Sequence, residues 1–217
     1  MPYRTTVHRF DPSYGEEDRR RGAVAQIERA ARPQLDTELV VHTAAMIADA
    51  EGLDAVTLTR VAREFDISQP ALYRHVEGYD DLLRHLSLAG RMLLAERLSA
   101  AAVGMSGMDA IRAMGGAWRD AVRERPGIMA ATDRYPCADD AELEGAVEAI
   151  VETLALALAS YDLSPDDQVH AARALRSAFH GFAHLEAGDG HPRPHDLDDT
   201  FEHIIDILHR GIERLAR

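Results

Sequence analysis

From Asp36 onward, apolar residues recur at the three- and four-residue spacing of helices. Leu39, Thr43, Met46, Ile47 and Ala50 mark the first such stripe, with Asp36 placed to cap it and Gly52 to end it. A short second helix is predicted over 58–65 behind the cap Thr57. Asp66, Ile67 and Ser68 connect it to a third, which Ser68 caps, Pro70 enters in its first turn and Gly78 closes. Long helices are then predicted over 80–102, 107–125, 139–160, 165–188 and 197–217, with Pro126-Gly127 read as a stop and Ser164-Pro165-Asp166-Asp167 as a start. No segment alternates β-branched and polar residues with the period of a half-buried strand. The expected fold class is all-α.

The chain of 217 residues is 46% apolar and 28% charged, the balance of a folded protein. Its best apolar run, 149–159, is short and broken by Glu152, well below the roughly 18 residues of a membrane span. A lone cysteine, Cys137, and the lack of a leader pattern favour a cytoplasmic location. The formal charge of −13 argues against a nucleic-acid partner until its distribution is known. Residues 1–36 carry 7 arginines against 6 acids, 37–82 carry 3 against 9, and 83–217 carry 14 against 22. The first 35 residues lack sustained periodicity and hold Arg19, Arg20 and Arg21. They read as a mobile arm.

Two short helices joined by three residues, between a longer helix and a long successor, have the layout of a helix-turn-helix reader. Leu58, Val61, Ala62, Phe65, Ile67, Leu72 and Val76 fall where those helices must pack. Gln69, Ala71, Tyr73, Arg74 and His75 are left outward, and several can hydrogen-bond base edges or phosphates. The expected organisation is an arm over 1–35, a three-helix helix-turn-helix domain over 36–82 and a helical domain over 83–217.

The stretch from Val56 to Val76, with its run Gln69-Pro70-Ala71-Leu72-Tyr73-Arg74-His75-Val76, resembles the TetR/AcrR family of bacterial transcriptional regulators. That resemblance implies a cytoplasmic homodimer whose third helix enters the major groove of double-stranded operator DNA. It also implies that the C-terminal domain dimerises and binds a small-molecule effector that releases DNA. Carried over by position, Thr59, Gln69, Pro70, Ala71 and Arg74 are candidates for base contact, and Thr57, Tyr73 and His75 for phosphate contact. Two positions depart from the family pattern. Asp66 stands where the turn usually has glycine, and Tyr79 where the fourth helix usually begins with a phosphate-binding lysine. The arm's arginines are candidates to supply phosphate contacts in its place, with a solvated tail as the favoured alternative.

His180-Gly181, followed by Phe182-x-x-Leu185-Glu186, resembles the Trp-His-Gly type of C-terminal domain in the same family. The resemblance implies a four-helix dimer interface from the last two helices, for which Phe182, Leu185, Phe201, Ile204, Ile205, Leu208 and Ile212 are candidates. Packing of these residues within one subunit is the competing reading. Met92, Met114, Trp118, Met129, Phe179 and His180 are the candidate lining of a pocket for a largely apolar ligand, with plain core as the alternative.

His180 and His184 stand four residues apart, and His191 and His195 flank a proline-bearing loop, so a metal-responsive regulator on the same scaffold is the alternative function. No cysteine pair accompanies them, and no metal site or cofactor is assigned. A phosphate loop, a dinucleotide fingerprint and a metalloprotease motif are all missing, and paired acids such as Asp166-Asp167 sit at helix starts. An enzyme is not expected. A helical enzyme or carrier with a vestigial reader is the remaining alternative.

Overall fold

The computed structural model describes residues 35–216, so the arm with Arg19, Arg20 and Arg21 lies outside the described residues. The helices are α1 (Thr37–Glu51), α2 (Leu58–Glu64), α3 (Gln69–Leu72), α4 (Tyr79–Ala102), α5 (Gly107–Glu124), α6 (Pro126–Arg134), α7 (Ala141–Leu158), α8 (Pro165–Ala187) and α9 (Leu197–Leu215). Short 3-10 turns follow α1 at Leu53–Ala55 and α7 at Ala159–Tyr161. Among the described residues there is no strand.

Side chains close the helix starts where the sequence offers acceptors. Thr57 accepts from the Arg60 N–H at 3.0 Å, Asp140 from those of Glu142 and Leu143 at 3.2 Å, and Asp196 from those of Asp198 and Asp199. Ser68 occupies the N-cap position of α3 without making a capping bond. The third helix is also shorter than predicted. After Leu72 the chain continues in hydrogen-bonded turns, His75 and Val76 both donating to the Leu72 carbonyl. With Leu72 and Val76 its only fully buried anchors, the segment has little packing to sustain further helical turns.

α4 forms the centre, packed against α5, α6 and α7, while α8 and α9 lie against α5. Gly90 lets α6 approach α4, because a Cβ there would stand 2.7 Å from the Ile128 carbonyl oxygen. Met114 and Trp118 of α5 and Phe179 of α8 are fully buried in this core. Arg119 joins three helices by donating to Glu186 and Asp198 at 2.5 Å each, with its guanidinium over the rings of Phe182 and Phe201.

Several residues expected at the dimer interface are covered within the chain itself. Phe182 of α8 and Phe201, Ile205 and Ile212 of α9 are at most 5% exposed in the isolated chain, because the α9 stripe packs on α5 and α8 of the same chain. Of the expected set, Leu185 is exposed and Ile204 and Leu208 are half-buried. Ile207, at 68%, is the more exposed apolar residue of α9.

Candidate functional site

The candidate helix-turn-helix reader is built from α2, the turn and α3. Val61, Ala62, Leu72 and Val76 are buried, and Asp66 takes the left-handed conformation (φ 54°) that swings the chain between the helices. The outward face then carries Thr57, Thr59, Pro70, Tyr73 and Arg74, all exposed, with Gln69, Ala71 and His75 half-buried beside them. Thr59 Oγ1 donates to Gln69 Oε1 at 2.9 Å, which occupies that oxygen and leaves the amide NH2 as the donor. Thr37 Oγ1 donates to the His75 carbonyl at 2.8 Å and pins the far end of the reading segment to α1.

The acidic balance of 37–82 is partly offset by arginine, two of the pairing arginines lying outside the segment. Arg60 bridges Glu51 and Glu64, Arg125 pairs with Asp49, and Arg134 pairs with Asp54. The Arg60 hydrogen bonds hold the Glu51 carboxyl below its ordinary range. Four of the nine acids are therefore matched to cations within the protein, and the excess negative charge that argued against DNA is reduced.

In the C-terminal part, α4 to α8 enclose a cavity of about 30 Å³. Its apolar wall is Leu94, Trp118, Met129, Val147 and Ile150, and its polar wall is Arg91, Thr132, Asp133, Arg176 and His180. Arg91 is only 7% exposed and is held by the Thr132 and Tyr135 carbonyls at 2.8 and 3.1 Å and by Ser87. Among the described residues it has no carboxylate within ion-pair distance, and burial lowers its pKa. The buried Trp118 Nε1–H also lacks a hydrogen-bond partner. At the cavity edge, Asp133 Oδ2 lies 3.4 Å from His180 Nε2 and 3.8 Å from His184 Nε2. Burial pushes the His184 pKa down, and the neighbouring His180 adds to that effect.

Residues 111–208 match the family described as tetracyclin repressor-like, C-terminal domain. Over 204 residues the chain is 31% identical to Rv0681, an uncharacterized HTH-type transcriptional regulator of Mycobacterium tuberculosis, covering 94% of this chain and 92% of the relative. The chain belongs to the TetR family of transcriptional regulators. Members of this family are regulators and not enzymes. Among solved structures, Mycobacterium smegmatis BioQ superposes with a TM-score of 0.62 at 23% identity, covering 84% of this chain and 99% of BioQ. Apo ActR from Streptomyces coelicolor superposes with a TM-score of 0.66 at 20% identity, covering 86% of this chain and 98% of ActR. BioQ has also been solved with its double-stranded DNA operator, and ActR in complex with (S)-DNPA.

Of the residues expected to line an effector pocket in this TetR regulator, Trp118, Met129 and His180 border the cavity. Met114 and Phe179 are fully buried core and do not border it. Met92 is a correction: at 59% exposure it lies on the outward side of α4, next in sequence to the inward Arg91. Sequence reasoning missed Arg91, Asp133 and Arg176. For Arg91 a signal existed, since Ser87, Arg91, Leu94 and Leu98 form one inward stripe in which an arginine stands four residues from a serine. Asp133 carried none, because α6 itself was not predicted. His191 and His195 line a separate surface groove with Thr200 and do not join His180 and His184.

Proposed function

We propose that this TetR regulator is a homodimeric repressor released from its operator by a small molecule with an apolar body and an anionic or acceptor-rich end. The buried Arg91 carries this reading: its guanidinium is held by carbonyl and hydroxyl oxygens and makes no direct ion pair, Asp133 of the same wall acting only at longer range, so an anion that reached it would offset the cost of its burial. Arg176, His180 and the unpartnered Trp118 N–H border the same space. Thr59, Gln69, Pro70, Ala71 and Arg74 would read bases, and Thr57, Tyr73 and His75 would hold phosphates. The BioQ operator complex and the ActR complex with (S)-DNPA support both halves of the reading by likeness of fold.

A cavity of about 30 Å³ holds little more than a water, so an effector must part the helices around it. Met129, Thr132 and Asp133 lie on α6, whose N-terminal N–H groups are held by Asp49 of α1. Displacement of α6 would therefore pull on α1, which is hydrogen-bonded to the end of the reading segment through Thr37 and His75. Two readers must stand at a fixed separation on a near-palindromic site, and a shift of either one weakens binding. The effector acts only through its differential affinity for the two conformations, and operator DNA must weaken the effector by the same factor.

Fluorescence anisotropy with DNA flanking the protein's own gene tests the reading, with a panel of aromatic and aliphatic carboxylates added. Release by at least one carboxylate, with reciprocal weakening of that compound by DNA, is the expected result. A protein that ignores such DNA, or a panel that neither raises the melting temperature nor releases DNA, overturns it.

A further inference from the structure

We propose that Asp133, His180 and His184 form a binding site for one transition-metal ion of the Zn(II) type, clasping the last turn of α6 to α8. The site shares Asp133 and His180 with the wall of the effector cavity, but its test needs only the metal and the protein and so does not depend on the effector reading.

Three observations converge on it. His180 and His184 are four residues apart on α8, the helical spacing that places two imidazoles on one face, and their ring centroids are 4.3 Å apart. Asp133 arrives from another helix, and the ligand atoms of all three residues lie within 4.8 Å of one another. A tetrahedral shell with metal–nitrogen bonds of about 2.0–2.1 Å sets its donors roughly 3.3 Å apart. The observed 3.4 and 3.8 Å from Asp133 to the two histidines are already close to that spacing. The third observation is independent of geometry among the donors. His184 Nε2 is buried without a hydrogen-bond partner, and such an orphaned polar atom calls for an occupant.

The donor chemistry selects the class of ion. Two imidazoles and one carboxylate suit Zn(II), Co(II) or Ni(II). Calcium and magnesium prefer all-oxygen shells, and Cu(I) prefers sulfur. Three protein donors leave one coordination position for water. A simpler reading is a plain ion pair of Asp133 with the two imidazoles, which needs no metal and leaves the buried His184 Nε2 without a hydrogen bond.

Metal-stripped protein is titrated with Co(II) and then Zn(II), following visible absorption and heat. One equivalent per chain is expected to bind with the absorption of a tetrahedral Co(II) centre, which Zn(II) bleaches. His184→Ala and Asp133→Asn should each weaken that equivalent roughly 100-fold. Asp133 is half-exposed, so its variant leaves the core intact, and melting of both variants without metal checks their folding. Zn(II) should raise the melting temperature of the parent and leave that of Asp133→Asn unchanged. Absence of a stoichiometric equivalent, or binding that persists unweakened in both variants through other histidines, overturns the proposal.

Discussion

Asp49 of α1 caps α6 at Gly127: its Oδ1 accepts from the Gly127 N–H at 2.9 Å and from the Ile128 N–H at 3.0 Å. Its other oxygen takes the Arg125 Nε–H at 2.5 Å. The approach is possible only because Gly127 lacks a side chain, since a Cβ would stand 2.0 Å from the Ala48 carbonyl carbon. One carboxylate thus fills the role of an N-cap across two helices distant in sequence, with the dipole of α6 adding to the attraction. α1, which braces the helix-turn-helix through the Thr37–His75 hydrogen bond, is joined in this way to the helix bearing part of the cavity wall.

Gly127→Ala is expected to lower stability by about 1–3 kcal/mol through backbone overpacking, and Asp49→Ala by about 1 kcal/mol through loss of the cap. Chemical denaturation checks both. Asp49→Ala should also reduce the factor by which an effector weakens operator binding. An unchanged factor would show that the signal takes another route.

On the reading face, Arg74→Ala or Gln69→Ala should relax base preference at one operator position by roughly 1–3 kcal/mol. Tyr73→Phe should weaken all sequences alike, as loss of a phosphate contact does. Binding measured across a set of single-substitution operators separates the two behaviours.

The burial pattern of α9 separates its two faces by experiment. Ile205→Ala should destabilise the subunit by about 2–5 kcal/mol, as a core truncation. Ile207→Glu and Leu208→Glu together should leave the subunit folded and convert dimers to monomers with poor operator binding. Sedimentation velocity decides this, and a wild-type protein that is monomeric at micromolar concentration would refute the dimer.

Trp118→Phe removes the buried N–H that has no partner while keeping an aromatic ring in place. Stability without ligand should change by less than about 1.5 kcal/mol, whereas affinity for an acceptor-bearing effector should fall. Thermal melts with and without the released compound give both quantities.

Asp140 caps α7 and accepts from Arg84 of α4 at 2.5 Å, and the Arg84 hydrogen bond is the main cause of a carboxyl pKa of about 2. Its unfolded value is about 3.9. A depressed folded value means that the carboxylate's contribution is complete above the unfolded pKa and is lost as pH falls through about 2. The difference in melting temperature between wild type and Asp140→Asn should therefore be constant from neutral pH to about 5 and shrink as pH drops from about 4 toward 2. A difference independent of pH would contradict the assignment.

Much of the architecture was legible in the sequence because it rests on local physics. Helical spacing of Leu39, Ile47 and Ala50, the caps at Thr57 and Ser164, and the stripe Phe201, Ile205, Ile212 each act within a few residues of themselves. So does the run from Gln69 to Val76, whose apolar members must turn inward and so leave the rest outward. α6 is different. Pro126-Gly127 reads locally as a stop, and the donors that open the helix are satisfied by Asp49, 78 and 79 residues away from Gly127 and Ile128. The same holds for function in the C-terminal half. A helical stripe shows that Phe182, Ile205 and Ile212 must be covered, but not whether the cover is the same subunit or another. His180 and His184 are visibly paired along α8, whereas their meeting with Asp133 depends on a helix that only tertiary packing stabilises.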